Sequence, residues 1–192
     1  VTFELIKTDD RDLTAEISIA RNFQNDVMTI SIAGRRGQLD ELEKAYRKKH
    51  PRADLRKSET DIGEDYVFTE KLLQVITALT PSELWPKKNE HENPNKVYTY
   101  SMKTKCLKDF QKIYEAAKKP DAEDHILCAD LYKFYLDIAG DAWDLYEKWK
   151  SHPKFYGTRL RSIERNASEI VEVPDGIVFP ILASLSAFAK KT

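Results

Sequence analysis

The sequence predicts a mainly α fold, a helical domain with one or two short strands near the N-terminal or C-terminal end. Three observations carry this expectation. Apolar residues recur at three- and four-residue spacing over two long stretches, Met102 to Ala117 and Leu127 to Trp149, the stripe a helix needs to face a core. Charged residues make up 33% of the chain, above the usual quarter or so, as expected of a well-solvated, helix-rich surface. Strand-like patterning is confined to Val1 to Lys7 and Ile170 to Val173.

The elements follow in order. Val1, Phe3 and Leu5 alternate with Thr2 and Glu4, a half-buried strand signature. Leu13, Ile17, Ala20 and Phe23 mark an amphipathic helix over residues 10 to 24, with the acids of "TDDRD" at its start. A polar turn then carries Gly34, Arg35, Arg36 and Gly37. Leu39, Leu42, Ala45 and Tyr46 mark a second helix that Pro51 stops, with lysines suited to its C-terminus. Residues 52 to 64 read as a polar loop. Phe68, Leu72, Leu73, Ile76 and Leu79 make a third helix, and Thr80 to Glu83, "TPSE", is a capping box opening a short turn through Trp85. "PKKNEHENPN" is an exposed loop.

Met102, Cys106, Phe110, Ile113 and Ala117 form a fourth helix, and Leu127, Leu131, Phe134, Ile138, Ala142, Leu145 and Trp149 a fifth. Pro120 separates them, which predicts a tight antiparallel pair. Gly140 is a place where the long helix could kink or divide, since Gly costs about 1 kcal/mol relative to Ala inside a helix. Residues 153 to 176 are irregular, and Val178, Ile181, Leu182 and Leu185 mark a last helix. The whole of 1–192 reads as a single helical domain, with a subdivision conceivable at the 86–96 loop. A start at Val rather than Met reads as a fragment of a longer protein.

A net charge of −1 gives no global case for a polyanionic partner, so any such partner would need a local patch. Cys106 and Cys128 lie in apolar helical patterns and read as buried free thiols, which suits a reducing cytoplasm. No apolar run approaches the roughly 20 residues needed to cross a bilayer. The nucleotide-binding, metalloprotease and hydrolase signatures are absent, so the chain offers no catalytic residue, no metal set and no cofactor. His125 beside Asp121 and Glu123 could suggest a metal, but acids before a helix are explained more simply by its dipole. "EKWK" at Glu147 to Lys150 has the wrong spacing, and the wrong element, for the carboxylate and lysine set of a nuclease core. Trp143, Tyr146 and Trp149 share a helix with the apolar stripe, so core or interface packing is expected of them, including a homo-oligomer contact.

The stretch "ISIARNFQNDV" groups Arg21, Asn22, Gln24 and Asn25 just before Arg35 and Arg36. Amides compete for backbone hydrogen bonds inside helices. The cluster is therefore either helix capping and turn formation or a surface that reads planar groups such as phosphates, bases or carboxylates. "ARNFQNDV", with the helix "LDELEKAYRKKHP" after it and "DGIVFPILASL" near the end, resembles AIPR-type (abortive infection, phage resistance) proteins, in which an "ATNxQNxV"-like motif precedes a helix-rich remainder. Arg21, Asn22, Gln24, Asn25 and Val27 match that motif; "AR" stands where "AT" is more usual, and Phe23 fills a commonly polar slot. The resemblance implies a bacterial antiviral protein whose restriction-endonuclease-like region lies upstream. This stretch would then be a non-catalytic helical part that touches nucleic acid or a partner. The competing expectation is a protein interaction module without nucleic-acid contact.

Overall fold

A computed structural model describes residues 29–58, 60–63, 65–84, 103–151 and 173–188. The strand expected at Val1 to Lys7, the helix expected at 10 to 24 and the loop expected at 86 to 95 lie outside the described residues. What is described is mainly helical: α1 (Thr29–Arg35), α2 (Asp40–Arg47), α3 (Thr69–Leu79), α4 (Lys103–Lys118), α5 (His125–Lys150) and α6 (Asp175–Phe188), with β1 (Asp54–Arg56) and β2 (Tyr66–Phe68) between α2 and α3.

α3 is the centre. Every residue from Leu72 to Ala78 is buried, because α4, α5 and α6 all pack on it. A helix covered on all sides must satisfy its polar side chains internally. The Thr77 hydroxyl meets both the Leu73 carbonyl (2.7 Å) and the Tyr135 hydroxyl (2.7 Å), and the Thr80 hydroxyl donates to the Ile76 carbonyl at 2.8 Å. A helix start at Phe68 was expected, yet Phe68 is extended and exposed, with the Arg56 guanidinium 5.1 Å over its ring. Thr69 opens α3 instead, its hydroxyl donating to the Arg56 carbonyl at 2.5 Å. The "TPSE" stretch forms the 3-10 turn Ser82–Leu84.

α4 and α5 pair as the Pro120 break implies. Phe110 lies 5.6 Å from Tyr135, Tyr114 lies 5.6 Å from Tyr132, and His125 Nδ1 meets the Ala116 carbonyl at 3.0 Å. Partners advance along one helix as they retreat along the other, so the two run antiparallel. Gly140 neither kinks nor divides α5, which is continuous from His125 to Lys150. Its lack of a side chain serves a crossing: an added Cβ would sit 2.8 Å from the Cβ of Lys49, so the end of α2 lies directly on α5.

Three features depart from the sequence expectation. A helix, α1, fills part of the stretch read as a polar turn; Ile30, Ser31 and Ala33 are buried, and that burial overrides the poor helix propensity of its β-branched residues. The 52–64 loop contains β1, which pairs in parallel with β2 in the register Asp54↔Tyr66, Leu55↔Val67, Arg56↔Phe68. The described strands thus lie mid-chain rather than near an end. Three-residue strands, of which only Leu55 is buried, leave no alternation to read. Of the strand expected at Ile170 to Val173, only Val173 is described; it lies outside any strand and its amide donates to the Lys150 carbonyl at 2.9 Å.

Candidate functional site

The polar turn can be built from its backbone. The Gly37 amide donates to the Gly34 carbonyl (3.0 Å), the Gln38 amide donates to the Ala33 carbonyl (3.1 Å), and Gly37 has φ 69°. This pair of bonds around a left-handed glycine is a Schellman motif, which satisfies the last carbonyls of a helix. Gly37 is there because the left-handed conformation penalises any Cβ. Arg35 is then the last helical residue and Arg36 the cap, where cations face the negative end of the helix dipole. Of the two readings of the turn, helix capping is thus realised at its second half.

Two contacts fix this cap to the body. Gly34 lies so close to the end of β1 that an added Cβ would be 2.4 Å from the Lys57 carbonyl oxygen. Gln38 is buried, its amide nitrogen donating to Glu115 (3.3 Å) and its oxygen accepting from Gln111 (2.8 Å), both on α4. Lys57 in turn reaches Glu43 (2.7 Å) and Asp40 (3.3 Å) in the first turn of α2. Burial penalises the Lys57 charge, but the Glu43 and Asp40 carboxylates prevail and its pKa stands above the ordinary lysine value. Arg35 is exposed, whereas Arg36 is half-buried. Arg21, Asn22, Gln24 and Asn25 lie outside the described residues, so of the six residues singled out in the sequence the structure places Arg35 and Arg36 side by side.

Other polar clusters were not anticipated. Where α2 meets α5, Lys49 pairs with Asp141 and with Asp144 (2.7 Å), and His50 stacks on Tyr46 with its Nε2 3.0 Å from Asp144. Lys118 bonds Glu41 at 2.7 Å while its ammonium lies over the rings of Tyr114 and Tyr132, and the Tyr132 hydroxyl donates to Glu41 at 3.0 Å. The Lys118 hydrogen bond, with help from Tyr132, holds the Glu41 pKa below the usual carboxylate value. At the start of α6, Asp175 is gripped by Lys71 of α3, and by the Tyr146 hydroxyl (2.8 Å) and Lys150 (3.3 Å) of α5. Burial opposes the Asp175 charge, but the Lys71 and Tyr146 hydrogen bonds outweigh it and the pKa is lowered. Each cluster joins residues far apart in sequence, so no local spacing announces it.

Cys106 and Cys128 are buried and in no disulfide, and desolvation pushes the Cys106 thiol up to about 12. Tyr146 is buried, and Trp143 and Trp149 pack partly buried against the core, as their place on the apolar stripe implied. Among the described residues no group of three or more His, Cys, Asp or Glu could hold a metal ion, and no helix is long and apolar enough to cross a membrane. No protein-family model, curated protein or solved structure matches the chain.

Proposed function

We propose that the chain is a helical accessory domain of a bacterial phage-defence, abortive-infection protein, which supports contact with nucleic acid or a partner beside a nuclease region outside this chain. The resemblance of "ARNFQNDV" and "DGIVFPILASL" to AIPR-type proteins supplies the biological setting. The observation that carries the contact role is the exposure of Arg35 on a helix cap anchored by Gly34 against Lys57 and by Gln38 against α4. A guanidinium on a fixed base loses less freedom on binding a phosphate or carboxylate than one on a loose loop.

Fluorescence anisotropy with labelled DNA and RNA oligonucleotides at low salt tests this. Binding should weaken severalfold in Arg35→Ala with Arg36→Ala, and the salt dependence should flatten by about one phosphate contact per arginine lost. No binding by the chain, together with unchanged phage protection by the doubly substituted full-length protein, would remove the proposal.

A second reading, an interaction module without nucleic-acid contact, is favoured by a separate feature. An apolar hollow of about 410 Å³ lies between the end of α5 and α6, lined by Trp149, Pro180, Ile181, Ser184 and Leu185, and Leu185 is exposed. Aromatic-walled hollows of this kind are where interfaces concentrate binding energy. Light scattering after size exclusion separates the readings: a dimer abolished by Leu185→Asp supports the module.

A further inference from the structure

The face on which α2 crosses α5 holds an open groove of about 730 Å³ whose lining combines partly exposed Ala45 and Leu136 with a rim of lysines and the acids Glu41, Asp137 and Asp141. Gly140 sets its shape by letting the end of α2 lie flush on α5. The lysines of the rim fall into two kinds. Lys49 is matched by Asp141 and Asp144, Lys118 by Glu41, and Lys133 by Asp137. Lys44 near the end of α2 and Lys48 at its cap are exposed and one helical turn apart. Neither makes a close ion pair among the described residues, and Lys44 acts on Glu41 through space rather than through a bond, as the smallest of the influences on its pKa. Like charges at this spacing repel each other, and two carboxylates on the same helix are already bonded elsewhere, Glu41 by Lys118 and Tyr132 and Asp40 by Lys57.

We infer that this groove docks an acidic amphipathic helix of a partner protein. Its carboxylates meet Lys44 and Lys48, and its apolar residues lie on Ala45 and Leu136, the helix-in-groove mode of recognition. Charge complementarity and an apolar floor select that occupant. A nucleic-acid strand is disfavoured because Glu41, Asp137 and Asp141 line the same groove and would repel an evenly charged polyanion. A peptide can set apolar or basic residues opposite those acids.

The test uses the full chain and a fluorescein-labelled helical peptide with leucines on one face and glutamates on its flanks. A lysine-for-glutamate version of the peptide and a single-stranded oligonucleotide serve as comparators. The acidic peptide should bind saturably, lose affinity as salt is raised, and bind at least about tenfold more weakly to Lys44→Glu with Lys48→Glu. Both positions are exposed, so the fold should be retained, which circular dichroism checks. Equal binding of the acidic and basic peptides, salt-independent binding, no loss in the double variant, or displacement by the oligonucleotide would each overturn the inference.

Discussion

Asp175 is the residue on which three helices converge. Its carboxylate carries Lys71 on one oxygen, and the Tyr146 hydroxyl and Lys150 on the other, so the first turn of α6 is tied to α3 and α5 by charge-assisted bonds, stronger than neutral ones. Because its pKa in the folded chain lies below its unfolded value, the stabilisation is fully present above the unfolded value, about 4, and is lost as pH falls through the folded one. Asp175→Asn should therefore destabilise the protein by about 2 kcal/mol at neutral pH and flatten the fall in stability below pH ~4. Urea titrations at neutral and acidic pH measure both. A variant whose acid slope matches that of the parent would show that other carboxylates govern acid unfolding.

At the scale of elements, the α2–α5 crossing gives a contrary prediction for a glycine inside a helix. Replacing such a glycine by alanine ordinarily stabilises by up to about 1 kcal/mol. At position 140 the new methyl would meet the Lys49 Cβ at 2.8 Å, an overpacking that costs about 1 to 3 kcal/mol. Gly140→Ala should thus be neutral to destabilising, read as a lower urea midpoint, and a raised midpoint would contradict the crossing geometry. The same position shows what the sequence can and cannot announce. The spacing of Phe110 and Leu131 was legible because a long helix repeats its stripe many times, but the fully buried face of α5 also takes in Tyr132 and Tyr135, beside a stripe whose Phe134 and Ile138 are only partly buried. The role of Gly140 was not legible, because its neighbour Lys49 is remote in sequence and only packing brings them together. α1 was missed for a related reason: Thr29, Ile30 and Ile32 speak against a helix locally, and burial in the folded chain overrules them. β1 offered three residues, too few to show a period. Arg35, Gly37 and their neighbours were legible as a polar turn, but only the bonds to Ala33 and Gly34 distinguish a helix cap from an open loop.

For the molecule as a whole, one continuous apolar cluster joins α1 to α6, and inside it the Thr77 hydroxyl meets the Tyr135 hydroxyl. Mainly helical architecture could be foreseen from periodicity, whereas the ion-pair web on its surface could not, since it depends on how the helices are arranged. Cys106 lies inside that cluster with no exposure at all, and its thiol is held near 12. Alkylation requires the thiolate, so at neutral pH iodoacetamide has no route to this sulfur while the interior stays closed. Its labelling rate is thus a clock for the rare moments when the interior opens, whereas Cys128, nearer the surface, is expected to react first. Mass spectrometry resolving two successive adducts would turn a silent side chain into an intrinsic gauge of how often this protein breathes.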